Sequence, residues 1–557
     1  MNSGMSNSHI IVSYIVRSDK GMKFEIIEVF NRSVTIELDS EAIFEQPESF
    51  FVYIDGKKVL ESRQNVVSVT GLLPDTKYVI GVESCDTSSD NCSGESGKIY
   101  EKEFTTKYES VLLDVRAFGA KGDGVTSDTA AIQAAICACP KDGTVYLPEG
   151  VYYSTALFLK SDMTFWLGDG AMLLGDTDRN HYPILPGMTR TTDEKDEYNL
   201  SSWEGNPLTS FASLVTAIDA ENLDIIGPGT IDGNAQNSDW WVNPKVKRIA
   251  WRPNTLYLAR CRNVRVQKVT VQNSPSWTVH PYYCDNCAFL NLFIHNPSDS
   301  PNTDGLDPES CKDVLVLGTV ISVGDDCMAI KSGKYYMSLM HHKVTENMII
   351  RNCKFERGHG SVTVGSEAAG GVRNVRVSQC IFDGTDRGLR IKTRRGRGER
   401  SILDDIVFEN IRMSGVHMPF TVNMFYFCDP DGHSDYVQNQ NPAPVDEMTP
   451  VIGSITGRNI SCKGVSACML CAFGLPEKPI EKLVFENIDV EFLPESERVP
   501  ERPVMMDNFD EMSGRSVFAR NVKKLILSDV VIKGSADKEP ELIDVEEKEL
   551  KDVKYEA

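Results

Sequence analysis

After residue 220 the chain is written in short β-rich units, and this recurrence restricts the fold more than composition does. Each unit opens on an Asn- or Asp-bearing turn and runs into brief apolar strands. Examples are Asn222-Leu223-Asp224-Ile225-Ile226, Asn263-Val264-Arg265-Val266, Asp313-Val314-Leu315-Val316 and Asn374-Val375-Arg376-Val377. Asp405-Ile406-Val407-Phe408-Glu409-Asn410-Ile411 and Leu483-Val484-Phe485-Glu486-Asn487-Ile488 continue the series. Strands in fixed order at irregular spacing describe a solenoid with loops inserted on one side. Helical periodicity is nearly absent, and a propeller needs more regular blades of about four strands. A parallel β-helix fits best, with coils stacked at about 4.8 Å.

Ahead of the solenoid the texture differs. From Lys23 to Thr106 apolar residues alternate, as in Val34, Ile36 and Leu38, and Asp55-Gly56 offers a tight hairpin turn. This predicts a small β-sandwich over residues 1–107, and Gly71-Leu72-Leu73-Pro74-Asp75-Thr76-Lys77-Tyr78 resembles the late-strand corner of a fibronectin type III domain. A packing or spacer module is its default role. A glycine-rich loop, Phe118 to Gly124, lacks the Gly-Lys-Ser/Thr ending of a phosphate loop. Ser127 or Asp128 then offers an N-cap for an Ala-rich helix, followed by the strand Val145-Tyr146-Leu147-Pro148. That order resembles the N-terminal cap of pectin-degrading β-helix proteins. The solenoid is expected over residues 108–535, and the charged, acidic tail 536–557 reads as a terminal helix or disorder.

The formal charge of -22 opposes nucleic acid and anionic membranes as partners. No apolar run approaches the roughly 20 residues of a membrane span. Met1 to His9 is polar and Ile10 to Val16 makes a poor signal core, so the expectation is a cytoplasmic protein, with secretion or a periplasmic location as the alternative. The 15 cysteines suit a reducing compartment. The pairs Cys284/Cys287 and Cys468/Cys471 are read as buried thiols rather than a zinc site, since no His pattern accompanies them.

Chemistry concentrates in Asn302-Thr303-Asp304-Gly305 and Gly324-Asp325-Asp326-Cys327. Asp304 and Asp325 are about one short coil apart, so stacking can set them side by side. Crowding should raise one carboxyl pKa and leave a protonated general-acid candidate. Gly358-His359-Gly360 exposes an imidazole, and Arg390 and Lys392 share a strand face suited to a ligand carboxylate. The basic stretch Arg387 to Arg400 suggests an anionic substrate held by contact. Singly, each is better read as turn cap, core histidine or solvated strand face; together they are not.

In this order the four motifs resemble the signature of family 28 glycoside hydrolases, the polygalacturonases, over roughly residues 110–535. The resemblance implies a right-handed parallel β-helix and inverting hydrolysis of α-1,4-galacturonosyl bonds in a pectic polysaccharide or oligogalacturonide, without cofactor or metal. It implies Asp325 as general acid and Asp304 and Asp326 as the water-activating pair. His359 would support the acid's protonation, Arg390 and Lys392 would bind a galacturonate carboxylate, and Asn302 would contact sugar or orient Asp304. Extra residues at Lys334 to Lys343, the N-terminal sandwich and Arg394-Arg395-Gly396-Arg397 resemble bacterial exo-acting members. The rivals are a pectate lyase and a non-catalytic β-helix that binds acidic polysaccharide.

Overall fold

The computed structural model describes residues 22–84, 99–190, 193 and 195–556. The stretch Met1 to Val16, read above for a leader and a first strand, lies outside them.

The turn residues explain the solenoid. Asn222, Asn263, Asn286, Asp313, Asn347, Asn374 and Asp405 all sit in the left-handed region with φ between 53° and 59°, which Asn and Asp tolerate best among residues with a side chain. Their side chains stack from coil to coil. The Asn286 amide donates to Asn263 Oδ1 at 2.7 Å, and the Asn374 amide to Asn347 Oδ1 at 2.7 Å. Each turn therefore fixes the start of the next strand in the same place.

From that start the strands pair in parallel, one coil on the next. Val264 pairs with Cys287, then Val314, Met348, Val375, Ile406, Ile455, Leu483 and Leu525. Every one of these faces the interior and is buried. The result is the parallel β-helix expected from the repeat, right-handed as the resemblance implies. A further face begins with Leu157–Leu159, Val215–Ile218, Leu256–Ala259 and Val279–Tyr282. It continues through Met328–Ile330, Val362–Val364, Arg387–Lys392 and Met418–Asn423, and this face carries the chemistry described below.

The helix Thr129–Ala138 closes the first coil with Ile132, Ala135 and Ile136. Asp128 stands at its N-cap position but does not cap it. Its carboxylate instead accepts the backbone N–H groups of Lys121 and Gly122 at 2.6 and 3.0 Å, tying down the glycine-rich loop.

The tail departs from the sequence reading. Glu541–Glu556 is neither helix nor disorder; it is a strand paired in parallel with Arg515–Lys533, from Phe518↔Glu541 to Lys533↔Glu556. Its charges face solvent because it is the outermost strand, with few apolar residues beyond Leu542, Ile543, Val545, Val553 and Tyr555 packed on the core.

The N-terminal sandwich has a three-stranded and a four-stranded antiparallel sheet, and Asp55 and Gly56, both at positive φ, make its predicted hairpin turn. In Ser33–Leu38 every residue is buried. Val34, Ile36 and Leu38 face the sandwich core, and the alternate residues face the β-helix. Ser33 and Thr35 hydrogen-bond Gln267, and Glu37 pairs with Arg351 at 2.7 and 2.6 Å and with Asn352 at 2.8 Å. The sandwich is packed onto the solenoid through a specific polar seam.

Candidate active site

Backbone hydrogen bonds across successive coils bring the four motifs together. Gly305 N donates to Asp326 O at 3.0 Å, Cys327 N to Gly360 O at 2.8 Å, and Ser361 N to Arg387 O at 2.8 Å. His359 N reaches Asp325 O at 3.0 Å. Asp325 and Asp326 occupy the turn before Met328–Ile330, so both reach the outer side instead of alternating across a strand. Gly360 is required by proximity, since a Cβ there would lie 2.7 Å from Asp326 Oδ1.

Asp304, Asp325 and Asp326 each place a carboxylate oxygen within 4.8 Å of the others. Their environments differ. Asp326 is buried, with Oδ1 on Arg390 Nη1 at 3.0 Å and Oδ2 on Lys392 Nζ at 2.9 Å. Burial alone would raise its pKa, but Lys392 and Arg390 outweigh that and hold it far below the usual carboxylate range. Asp304 is also buried, and burial followed by the neighbouring Asp325 pushes it up to about 7 against the pull of Lys331. Asp325 is half-buried at the edge. Burial, aided by the crowding expected from sequence, thus raises one carboxyl to about 7, while two cations keep another firmly ionised.

His359 stands open to solvent beside them, its Nδ1 2.8 Å from Asp386 Oδ2. The hydrogen bond to Asp386 raises its pKa despite partial burial, with Asp325 and Asp326 adding to the effect. Asn302, at φ 56°, directs Oδ1 toward Arg252 Nη2 at 2.8 Å. Its amide nitrogen is therefore the end left to donate elsewhere.

Arg390 and Lys392, the pair read as binding a ligand carboxylate, both hold Asp326 in this structure. The wider basic stretch needs a larger correction, since most of it pins loops. Arg395 pairs with Glu477 at 2.6 Å, Arg394 with Asp429 and Asp431 at 3.1 and 2.6 Å, and Arg397 with Asp429 at 2.6 Å. Arg400 donates to Ser338 O at 2.6 Å, holding the inserted helix Tyr335–Met340. Arg387 donates to Arg502 O and Pro503 O, and Arg390 Nη2 lies 2.9 Å from Met505 Sδ. Residues 502–505 thereby form a strap packed beside Arg390, Lys392 and Asn423.

Sequence reasoning missed Lys331 and Arg252. Lys331 lies buried 3.4 Å from Asp304 Oδ2, and its signal was position: the outward-facing residue that follows Met328-Ala329-Ile330, on the face that bears the acids. Arg252 is contributed by an earlier coil and stacks over Trp203; nothing local to the motifs points to it. The described cysteines are all free and mostly buried, and Cys284 and Cys311 donate to backbone carbonyls at 3.1 and 3.2 Å. Among the described residues the one cluster with metal-binding spacing is the Asp trio. Two of its oxygens already serve Arg390 and Lys392, which makes it a poor fit for a cation.

A family model described as glycosyl hydrolases family 28 matches residues 163–498, more than half of the chain and all four motifs. The chain belongs to glycosyl hydrolases family 28. It is a glycoside hydrolase. A "Probable polygalacturonase" of Vitis vinifera is 29% identical over 394 residues, covering 69% of this chain and 75% of its own. Among solved structures, a family 28 exopolygalacturonase of Yersinia enterocolitica aligns with a TM-score of 0.60 at 19% identity, over 96% of this chain and 98% of its own, a likeness of fold. An exopolygalacturonase of Thermotoga maritima aligns with a TM-score of 0.58 at 26% identity, over 69% of this chain and 89% of its own.

Proposed function

We propose that this family 28 enzyme hydrolyses α-1,4-galacturonosyl bonds of polygalacturonate or oligogalacturonides, acting from a chain end and inverting the anomeric centre. The observation that carries the substrate class is the meeting of a proton-sharing carboxyl trio with Arg390 and Lys392 on one face. Glycosidic cleavage needs one carboxylic acid to protonate the leaving oxygen and one carboxylate to activate water. A galacturonate additionally needs a cation for its own carboxylate. The names of the Vitis and Thermotoga relatives support the same class.

In this reading Asp325, at the solvent edge, delivers the proton to the leaving oxygen, and Asp304 and Asp326 hold the water. Asp304, its carboxyl pushed up to about 7 by burial, lies in the same cluster, within reach of proton exchange with Asp325. His359, held by Asp386, presents positive charge beside Asp325. Arg390 and Lys392 divide themselves between Asp326 and the incoming carboxylate, and the Asn302 amide donates to the sugar. The strap at residues 502–505 supports end-on action, because it packs against Arg387, Arg390 and Asn423 beside the cation pair.

The product profile from polygalacturonate over time tests the mode: mono- or digalacturonate from the outset supports exo action, and a ladder of oligomers overturns it. Proton NMR of the first product tests the stereochemistry, with β-anomer expected. Full activity in chelator with a saturated reducing product distinguishes hydrolysis from a lyase.

A further inference from the structure

Beneath the trio lies a buried lysine with more carboxylates than it can satisfy. Lys331 Nζ is 3.4 Å from Asp304 Oδ2, 3.3 Å from Asp307 Oδ1 and 3.4 Å from Glu367 Oε2. All three separations exceed the usual hydrogen-bond range of about 2.7–3.2 Å, so no partner claims the ammonium alone. The Trp277 ring, 3.6 Å from Nζ, covers another side. Asp307 is fully buried and neither oxygen has a hydrogen-bond partner. Burial, then Asp304, pushes the Asp307 carboxyl far up, so it competes least for the ammonium. The contest for Lys331 is therefore between Asp304 and Glu367.

We propose that Lys331 is a positioning residue for Asp304, and that Glu367 is the counterweight fixing how much of its charge reaches the reacting carboxyls. This rests on the functional reading above, in which the trio must hold one proton to release the leaving group.

The sign of the effect follows from who faces whom. Asp304 faces the carboxyls of Asp325, Asp326 and Asp307 and the cations Lys331 and Lys392, with Arg252 further along the same side. Lys392 is engaged by Asp326 at 2.9 Å, which leaves Lys331 as the cation nearest Asp304 not already claimed by a shorter contact. Glu367 is kept ionised, with a pKa of about 2, because Lys331, Lys334 and Arg397 outweigh its burial. Its negative charge draws Lys331 away from Asp304. Removing the lysine charge tightens the trio's hold on its proton, whereas removing the glutamate charge loosens it.

The test is the pH profile of kcat/KM on oligogalacturonide for the full chain, its alkaline limb reporting loss of the shared proton. Lys331→Met is expected to move that limb to higher pH by about one unit, and Glu367→Gln to move it lower by a smaller amount. Opposite displacements support the proposal. Unmoved limbs, or displacement of both in one direction, overturn it. Circular dichroism and melting at each pH establish folding. If Lys331→Met fails to fold, Glu367→Gln decides alone, a downward shift supporting the proposal and an unchanged limb overturning it. Asp304→Asn and Asp325→Asn separate this from the broader reading. Should both keep wild-type turnover, the hydrolase roles fail and the proposal with them. Should both be inactive while the limbs stay put, only the role of Lys331 fails.

Discussion

Two buried ionic regions of the molecule are built to opposite ends. At the seam between sandwich and solenoid, Glu37 receives two hydrogen bonds from Arg351 and one from Asn352, all between 2.6 and 2.8 Å. At the catalytic face, Lys331 is stretched among three carboxylates and Asp307 has no hydrogen-bond partner. A satisfied buried network specifies one arrangement, whereas an unsatisfied one stores altered proton affinities. The seam holds two units in register, and the face holds groups ready to exchange a proton.

The comparison can be broken at several points, beginning with the largest effect. Asp325→Asn is expected to lower initial hydrolysis rates about 10²–10⁴-fold, the usual range for a lost general acid, without shifting the melting temperature. Wild-type-like turnover would remove Asp325 from the acid role.

Arg390→Ala comes next. Because Arg390 and Lys392 share a buried Asp326, loss of Arg390 leaves one carboxylate oxygen without its partner, and the expected destabilisation is about 1–3 kcal/mol by urea unfolding. KM for galacturonate rises in the same variant. A raised KM with unchanged stability would show that the bond to Asp326 matters little and that Arg390 serves the ligand alone.

Glu37→Ala tests the other region. It strands Arg351 at the seam, with an expected loss of about 1–3 kcal/mol, and the folded enzyme keeps wild-type kcat. A fall in kcat at unchanged KM would mean the sandwich reaches the chemistry through the solenoid.

The smallest effect is one of sign. Burial raises the Asp304 carboxyl to about 7 in the fold, while the unfolded chain titrates it near 4. Its contribution to stability is therefore complete below pH 4 and is lost as pH rises through 7. Asp304→Asn cannot ionise. Its melting temperature should exceed the wild type by several degrees above pH 7, with the gap closing toward pH 4.

The repeat and the motifs were legible because both are local. Asn263 and Asn374 announce their own backbone angle, and Asp304 and Asp325 lie within one coil of each other, so stacking alone unites them. What was not legible depends on distant partners. Arg394, Arg395 and Arg397 read as a substrate patch until Asp429, Asp431 and Glu477 are seen from later coils. Lys331 drew no notice because Glu367 and Trp277, which surround it, come from other coils. The tail misled for a different reason: a strand at the outer edge lacks the apolar alternation that betrays an inner one.

Among the described residues that outer strand, Glu541–Glu556, pairs on one side, with Arg515–Lys533. Each coil templates the next by offering a row of free N–H and C=O groups, so an unprotected last coil would recruit another chain as readily as its own. Glu547, Lys548, Glu549, Lys551 and Asp552 line this rim, with Lys524 bridging back to Glu547 and Glu549. A second molecule adding a strand there would have to desolvate this row of charges. A charged outer strand of this kind discourages strand addition by a further chain.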